Sequence, residues 1–177
     1  MSGFPISEEQ QMLVDTVRSF VENELYPHED MVEELDDVPE DLAKEIQRKS
    51  IELGLYAANM PEQYGGGGLD NLSLTLLERE LGRASYGLQM CVARPSNILQ
   101  GCKGEQIERY LIHVIKGERH DCLAMTEPGA GSDVRSMKTR AEKKGDTYVI
   151  NGSKHFISHA DKSDFVVLMA ATGYDET

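Results

Sequence analysis

The chain has 177 residues, enough for one or two domains with a real core, and its 40% apolar and 28% charged residues are those of an ordinary globular protein. A formal net charge of −13 argues against a nucleic-acid binder, which needs a basic face, and against docking on anionic membranes. Three cysteines without CxxC spacing suit a reducing compartment better than a disulfide scaffold, and no apolar run approaches a membrane span. The start, Met1-Ser2-Gly3-Phe4-Pro5, has no basic region followed by an apolar one, so no signal peptide is read and the chain is expected in the cytoplasm.

Ser7 with Gln10 has the form of a capping box, and Leu13, Val17, Phe20 and Val21 share a stripe, which predicts a helix over about 7–26 ended by Pro27. Residues 28–38, with six acids, read as a solvated connector. Pro39 suits a helix N1 position, Leu42, Ile46 and Leu53 fall on one face, and Gly54 suits the residue after the helix. The run from Met60 to Gly68 is either a flexible linker or a shaped loop, and Pro61 and Tyr64 favour the shaped loop. No Gly-Lys-Ser/Thr follows, so it is not a phosphate-binding P-loop. Leu74, Leu77 and Leu81 mark a third helix over about 72–84. Residues 86–100 read as helical with an interruption at Pro95, and Glu105 to Lys116 as a helix stopped by Gly117.

The period then changes. His120 to Met125 reads as a short buried strand. Thr139–Glu142 and Thr147–Asn151 read as a hairpin, and His155–Ser158 and Phe165–Ala170 as further strands. The fold class is therefore α+β in two segregated parts: an N-terminal all-α helical domain, 1–119, followed by an incomplete antiparallel β-domain, 120–177. A sheet this thin, ending soon after an apolar strand, is expected to be continued by more chain or covered by a partner.

Between the first strand and the hairpin lies Met125-Thr126-Glu127-Pro128-Gly129-Ala130-Gly131-Ser132-Asp133. Pro128 fixes φ, and Gly129 and Gly131 permit φ > 0 and leave backbone N–H groups uncovered. Thr126 and Ser132 add hydroxyls. Such a turn can wrap a phosphate or the polar edge of a flat heterocycle. It is not a Rossmann fingerprint, for want of a third glycine at the needed spacing. His155 and His159 do not cluster as metal ligands on an extended stretch, and no metal site is expected. Ser132 beside Asp133 lacks the histidine of a hydrolase. The cysteines read as small buried hydrophobes.

Four stretches, in this order, resemble the acyl-CoA dehydrogenase flavoproteins: Met60–Gly66, Gly104–Glu118, Met125–Asp133 and Ile150–Ser158. The resemblance covers about residues 7–172. It implies an N-terminal helical domain, the front of a middle β-domain and, in the family, a C-terminal helical bundle that no part of this sequence matches. It further implies FAD as cofactor, an acyl-CoA substrate desaturated between Cα and Cβ, an electron-transfer flavoprotein as acceptor, and a homo-oligomer. By resemblance Leu123, Ala124, Met125 and Thr126 lie along the flavin, and Gly131 and Ser132 reach its pyrophosphate. Ser132 also matches an acyl-CoA contact, and Arg94 to Gln100 border the acyl cavity. Phe156, where the family often has Trp, Ile157 and Ser158 cover the flavin's other side. The family's catalytic glutamate matches nothing in this sequence, and Glu127 is not nominated for that role. The readings in view are an acyl-CoA dehydrogenase or a fragment of one, a non-catalytic partner subunit whose glutamate comes from another chain, and a folded remnant without activity.

Overall fold

The computed structural model describes residues 5–92 and 95–173, so Arg94 lies outside the described residues. One compact unit runs to Glu118, and a second begins at Arg119.

The first unit is helical. α1 (Glu8–Phe20) opens on the expected capping box, with the Ser7 side chain accepting from the Gln10 N–H and the Gln10 side chain from the Ser7 N–H. Such a cap is worth roughly 1 kcal/mol. The helical path does not stop at Pro27. It passes through a wider turn, Val21–Leu25, and a tighter one, Tyr26–His28, into α2 (Glu29–Leu35). The acidic stretch is thus a helix and not a connector: Val32 enters the core, and Glu29 caps the Ser85 N–H at 2.7 Å. In α3 (Glu40–Glu52), Pro39 is the N-cap residue and not the first helical one. Gly54 takes φ +71 just past its end. Ile46 is buried, but Leu53 is 53% exposed and Leu55, beyond the turn, takes the core position expected of it.

The glycine run is a shaped loop. Gly67 and Gly68 donate to the carbonyls of Ala57 and Met60, and Leu69 to Ala58. A Cβ on Gly67 would meet the Ala58 Cα at 2.8 Å, so this close approach requires glycine. The residue just before this loop holds 95–101: Asn59 Nδ2 donates to the Pro95 carbonyl at 3.0 Å, and Gln100 Nε2 to the Asn59 carbonyl at 3.0 Å.

α4 (Asn71–Leu81) is capped by Asp70 and packs against α1, and α5 (Tyr86–Val92) packs against α3. Glu105 to Ile115 is helical, with a wider turn over Ile107–Leu111 before α6 (Ile112–Ile115). Leu25, Ile46, Leu81, Leu88 and their neighbours form the core, each buried side chain contributing about 1.5–3 kcal/mol of burial.

Among the described residues the second unit has two two-stranded sheets. β1 (Asp121–Ala124) pairs with β4 (Phe165–Leu168), Cys122 opposite Val166. β2 (Arg140–Lys144) and β3 (Thr147–Asn151) form a hairpin around Gly145 and Asp146, with Gly145 at φ +61. The helical-then-β architecture is as expected. The antiparallel expectation holds for the hairpin and is corrected at β1–β4, which is parallel: the long stretch between them returns β4 in the same direction as β1. β4 ends at Leu168 and is half-exposed in alternation, so it is not fully buried. His155–Ser158 is not a strand. Phe156 at φ +56 cannot join a ladder, and the chain turns from Ser158 onward. Among the described residues no helix is long and apolar enough to cross a membrane.

Candidate functional site

β1 delivers Leu123 and Ala124 into a loop that begins at Met125. The sheet fixes the delivery point, because the Ala124 carbonyl accepts from the Met169 N–H at 3.0 Å. The loop closes on itself at Glu127 and Ala130, whose N–H and carbonyl groups bond reciprocally at 3.1 and 3.2 Å. Pro128 and Gly129 make the turn between them. Gly129 and Gly131 do not use the positive φ that glycine permits: neither lies in the left-handed region, since the reciprocal pair closes the turn without it. A Cβ at either would meet nothing within 4 Å. The fold itself therefore asks for glycine at neither position.

Glu127 is the hub of this unit. Its side chain is 5% exposed. It accepts from the Lys138 N–H at 2.7 Å, the Thr139 N–H at 2.9 Å and Lys154 Nζ at 2.9 Å. Hydrogen bonding from Thr139, then from the Lys138 N–H and Lys154, holds the carboxyl at about 2 against the opposing effect of burial. Lys154 Nζ, on a side chain 8% exposed, also donates to the Met125 carbonyl at 2.9 Å. The next residue, His155, donates its N–H to the Thr126 carbonyl at 3.0 Å.

Two of the predicted clusters thus meet: Met125 and Thr126 lie against the 154–156 strap. Phe156 follows, 86% exposed and with its backbone at φ +56, and the His155 ring sits 4.1 Å from the Phe156 ring by centroids. Ile157 is half-buried and Ser158 exposed. Gly131 and Ser132 are exposed beyond the closed turn. Among the described residues, no hydrogen bond is made to the N–H groups of Thr126, Gly129, Gly131, Ser132, Phe156 or Ser158. This loop and strap therefore offer unspent donors and the solvent-facing Phe156 ring, a set suited to an anionic or heterocyclic ligand. Glu127 and Lys154 were missed as a pair by sequence reasoning. Only their opposite charge hints at a partnership across 27 positions.

The family model described as Acyl-CoA dehydrogenase, N-terminal domain, matches residues 7–118, and that described as Acyl-CoA dehydrogenase, middle domain, matches 122–177. The chain is 37% identical over 172 residues to mitochondrial isovaleryl-CoA dehydrogenase of Bos taurus, covering 94% of this chain and 40% of that protein. It is 36% identical over 174 residues to the CarC subunit of the caffeyl-CoA reductase–Etf complex of Acetobacterium woodii, covering 94% and 44%. The solved acyl-CoA dehydrogenase of Bacillus anthracis in complex with FAD superposes with a TM-score of 0.79 at 30% identity, over 96% of this chain and 30% of that one. The chain spans less than half the length of the curated relatives it matches.

Proposed function

The chain belongs to the acyl-CoA dehydrogenase family, and from that premise we propose that it forms the flavin-facing part of an enzyme that desaturates an acyl-CoA thioester between Cα and Cβ. FAD is the cofactor of this family, and when bound it supplies a hydride acceptor tuned by donors around its ring. The observation that carries the reading is the coincidence of unspent donors and the exposed Phe156 ring on one pinned loop and strap.

In this reading Leu123 and Ala124 line the approach, and Met125 main chain with the Thr126 hydroxyl bind the pyrimidine edge. The Gly131 N–H and the Ser132 N–H and hydroxyl bind the pyrophosphate, where glycine that the fold does not require leaves room for close approach. Phe156 stacks on the ring system, Ile157 backs it, and the Ser158 hydroxyl donates to its edge. Ser132 also contacts the acyl-CoA. Abstraction of the Cα proton needs a carboxylate base. Glu127 does not serve, because a carboxyl held at about 2 and committed to three donors is a poor base. We assign the base to a glutamate outside this sequence, the electron acceptor to an electron-transfer flavoprotein, and the assembled form to a homo-oligomer. Domain limits of 1–119 and 120–177, a cytoplasmic location and a place in fatty-acid metabolism belong to the same reading.

A second reading, a partner subunit or scaffold completed by another chain, is favoured by one observation. Tyr148, Val149 and Ile150 on β3 are 55%, 38% and 52% exposed, more apolar strand surface than water alone suits. The test of the first reading is a FAD titration of the purified chain followed by flavin fluorescence and visible absorbance. Saturable binding, weakened on the order of tenfold by Thr126→Val and by Ser132→Ala, is expected. Flavin fluorescence that does not respond to the chain would overturn it.

A further inference from the structure

We propose that Lys154 and Glu127 are a positioning pair for the flavin site: the Lys154 ammonium, held by the buried Glu127 carboxylate, orients and polarises the Met125–Thr126 peptide so that its N–H faces the ligand. This rests on the FAD reading above and adds two residues to it.

The geometry is simple. A trans peptide is planar, with its carbonyl and N–H pointing in opposite directions. The described residues contain no cis peptide bond. Lys154 Nζ sits 2.9 Å from the Met125 carbonyl, so the Thr126 N–H of the same plane points away from Lys154. That N–H makes no hydrogen bond among the described residues. A cation on the carbonyl end strengthens the donor at the other end, because hydrogen bonds in series polarise one another, most of all where one partner is charged and water is scarce. The following peptide is fixed as well, since the Thr126 carbonyl accepts from the His155 N–H, one residue before Phe156. The ammonium and this main-chain bond together tie the loop that would meet the flavin edge to the strap that would meet its face.

Stability alone does not account for an ammonium here. Buried ion pairs are often no better than apolar side chains of similar volume, because desolvation offsets the attraction. Glu127 already ties the loop to β2 through the Lys138 and Thr139 N–H groups without Lys154. What Lys154 adds is a counter-charge for Glu127 and, beyond that pair, the bond to Met125.

The test compares the full chain with Lys154→Met and Lys154→Arg, measuring the FAD dissociation constant, the visible spectrum of bound FAD and the melting temperature of each. Lys154→Met is expected to lose FAD affinity by on the order of tenfold and to shift the flavin absorption band, and Lys154→Arg to recover part of both. A folded Lys154→Met with the parent's affinity and spectrum would overturn the proposal. A second measurement needs no variant: in the amide NMR spectrum of the parent, FAD should shift the Thr126 resonance and slow its exchange. Perturbation at Gly131, Ser132 and Phe156 with none at Thr126 overturns the positioning role alone. Perturbation nowhere overturns the flavin reading, and this proposal with it.

Discussion

The Glu127 carboxylate accepts the backbone N–H of Lys138 at 2.7 Å, which ties the loop after β1 to the entry of β2 eleven residues on. With Thr139 and Lys154 on the same carboxylate, two separate segments, 138–139 and the one holding Lys154, converge on one side chain. The acid sensitivity of the second unit follows. The Glu127 carboxyl is depressed from 4.5 to about 2 in the folded chain, so its contribution is fully present above about 4.5 and is lost as pH falls through about 2. Chemical denaturation of parent and Glu127→Gln at a series of pH values should therefore show two curves that converge as the pH drops from 4.5 to 2. A constant difference across that window would contradict the assignment.

Gly152 presses on Thr139, and its φ of +155 disfavours a side chain. A Cβ there would sit 2.6 Å from the Thr139 Cα, a backbone atom that cannot rotate away. Gly152→Ala is expected to cost about 3 kcal/mol, at the upper end for overpacking. Because Thr139 bonds Glu127, FAD binding should fall in the same variant. A thermal melt with a parallel FAD titration checks both.

Phe156 separates function from stability. The residue is 86% exposed, so removing its ring forfeits little packing, while its φ of +56 strains a bulky residue. Asparagine tolerates that backbone region. Phe156→Asn should leave the melting temperature unchanged or raise it, and weaken FAD binding by several-fold for the loss of about 1 kcal/mol of stacking. A variant that melts markedly lower would show that the ring is structural.

In the helical unit Glu80, 3% exposed, meets Arg18 at 3.0 Å, Arg79 at 2.8 Å and Arg83 at 3.3 Å. Burial raises its carboxyl, and the three arginines overcome this to hold it below the ordinary range. The arginines are 42%, 56% and 38% exposed, so water can rescue them. Glu80→Ala should cost about 2 kcal/mol, below the usual figure for a buried pair, and Arg79→Ala no more than about 0.5 kcal/mol. Urea denaturation of the two variants distinguishes these sizes.

Local rules were legible where a signal and its partner lie close in sequence. Ser7 and Gln10 form their capping box, Gly54 turns after α3, and Gly145 sits in the hairpin turn. They failed where tertiary contacts outweighed composition. Residues 28–38 read as solvent-facing because acids outnumber apolar residues, yet the buried Val32 and the Glu29–Ser85 bond seat α2 on the core. His155–Ser158 has strand-like side chains, but its first N–H goes to Thr126 and its second residue lies at φ +56, two facts absent from any local pattern. The turn within Met125–Asp133 was legible from Pro128 and its small residues. The Glu127–Lys154 pair that holds it was not, because long-range ion pairs leave no periodicity.

The most direct test of the flavin site is amide hydrogen exchange of the chain with and without FAD, read peptide by peptide. New protection confined to the segments holding Leu123–Thr126, Gly131–Ser132 and Phe156–Ser158 is the result expected. FAD that binds yet protects other segments, with these three unchanged, would contradict the account.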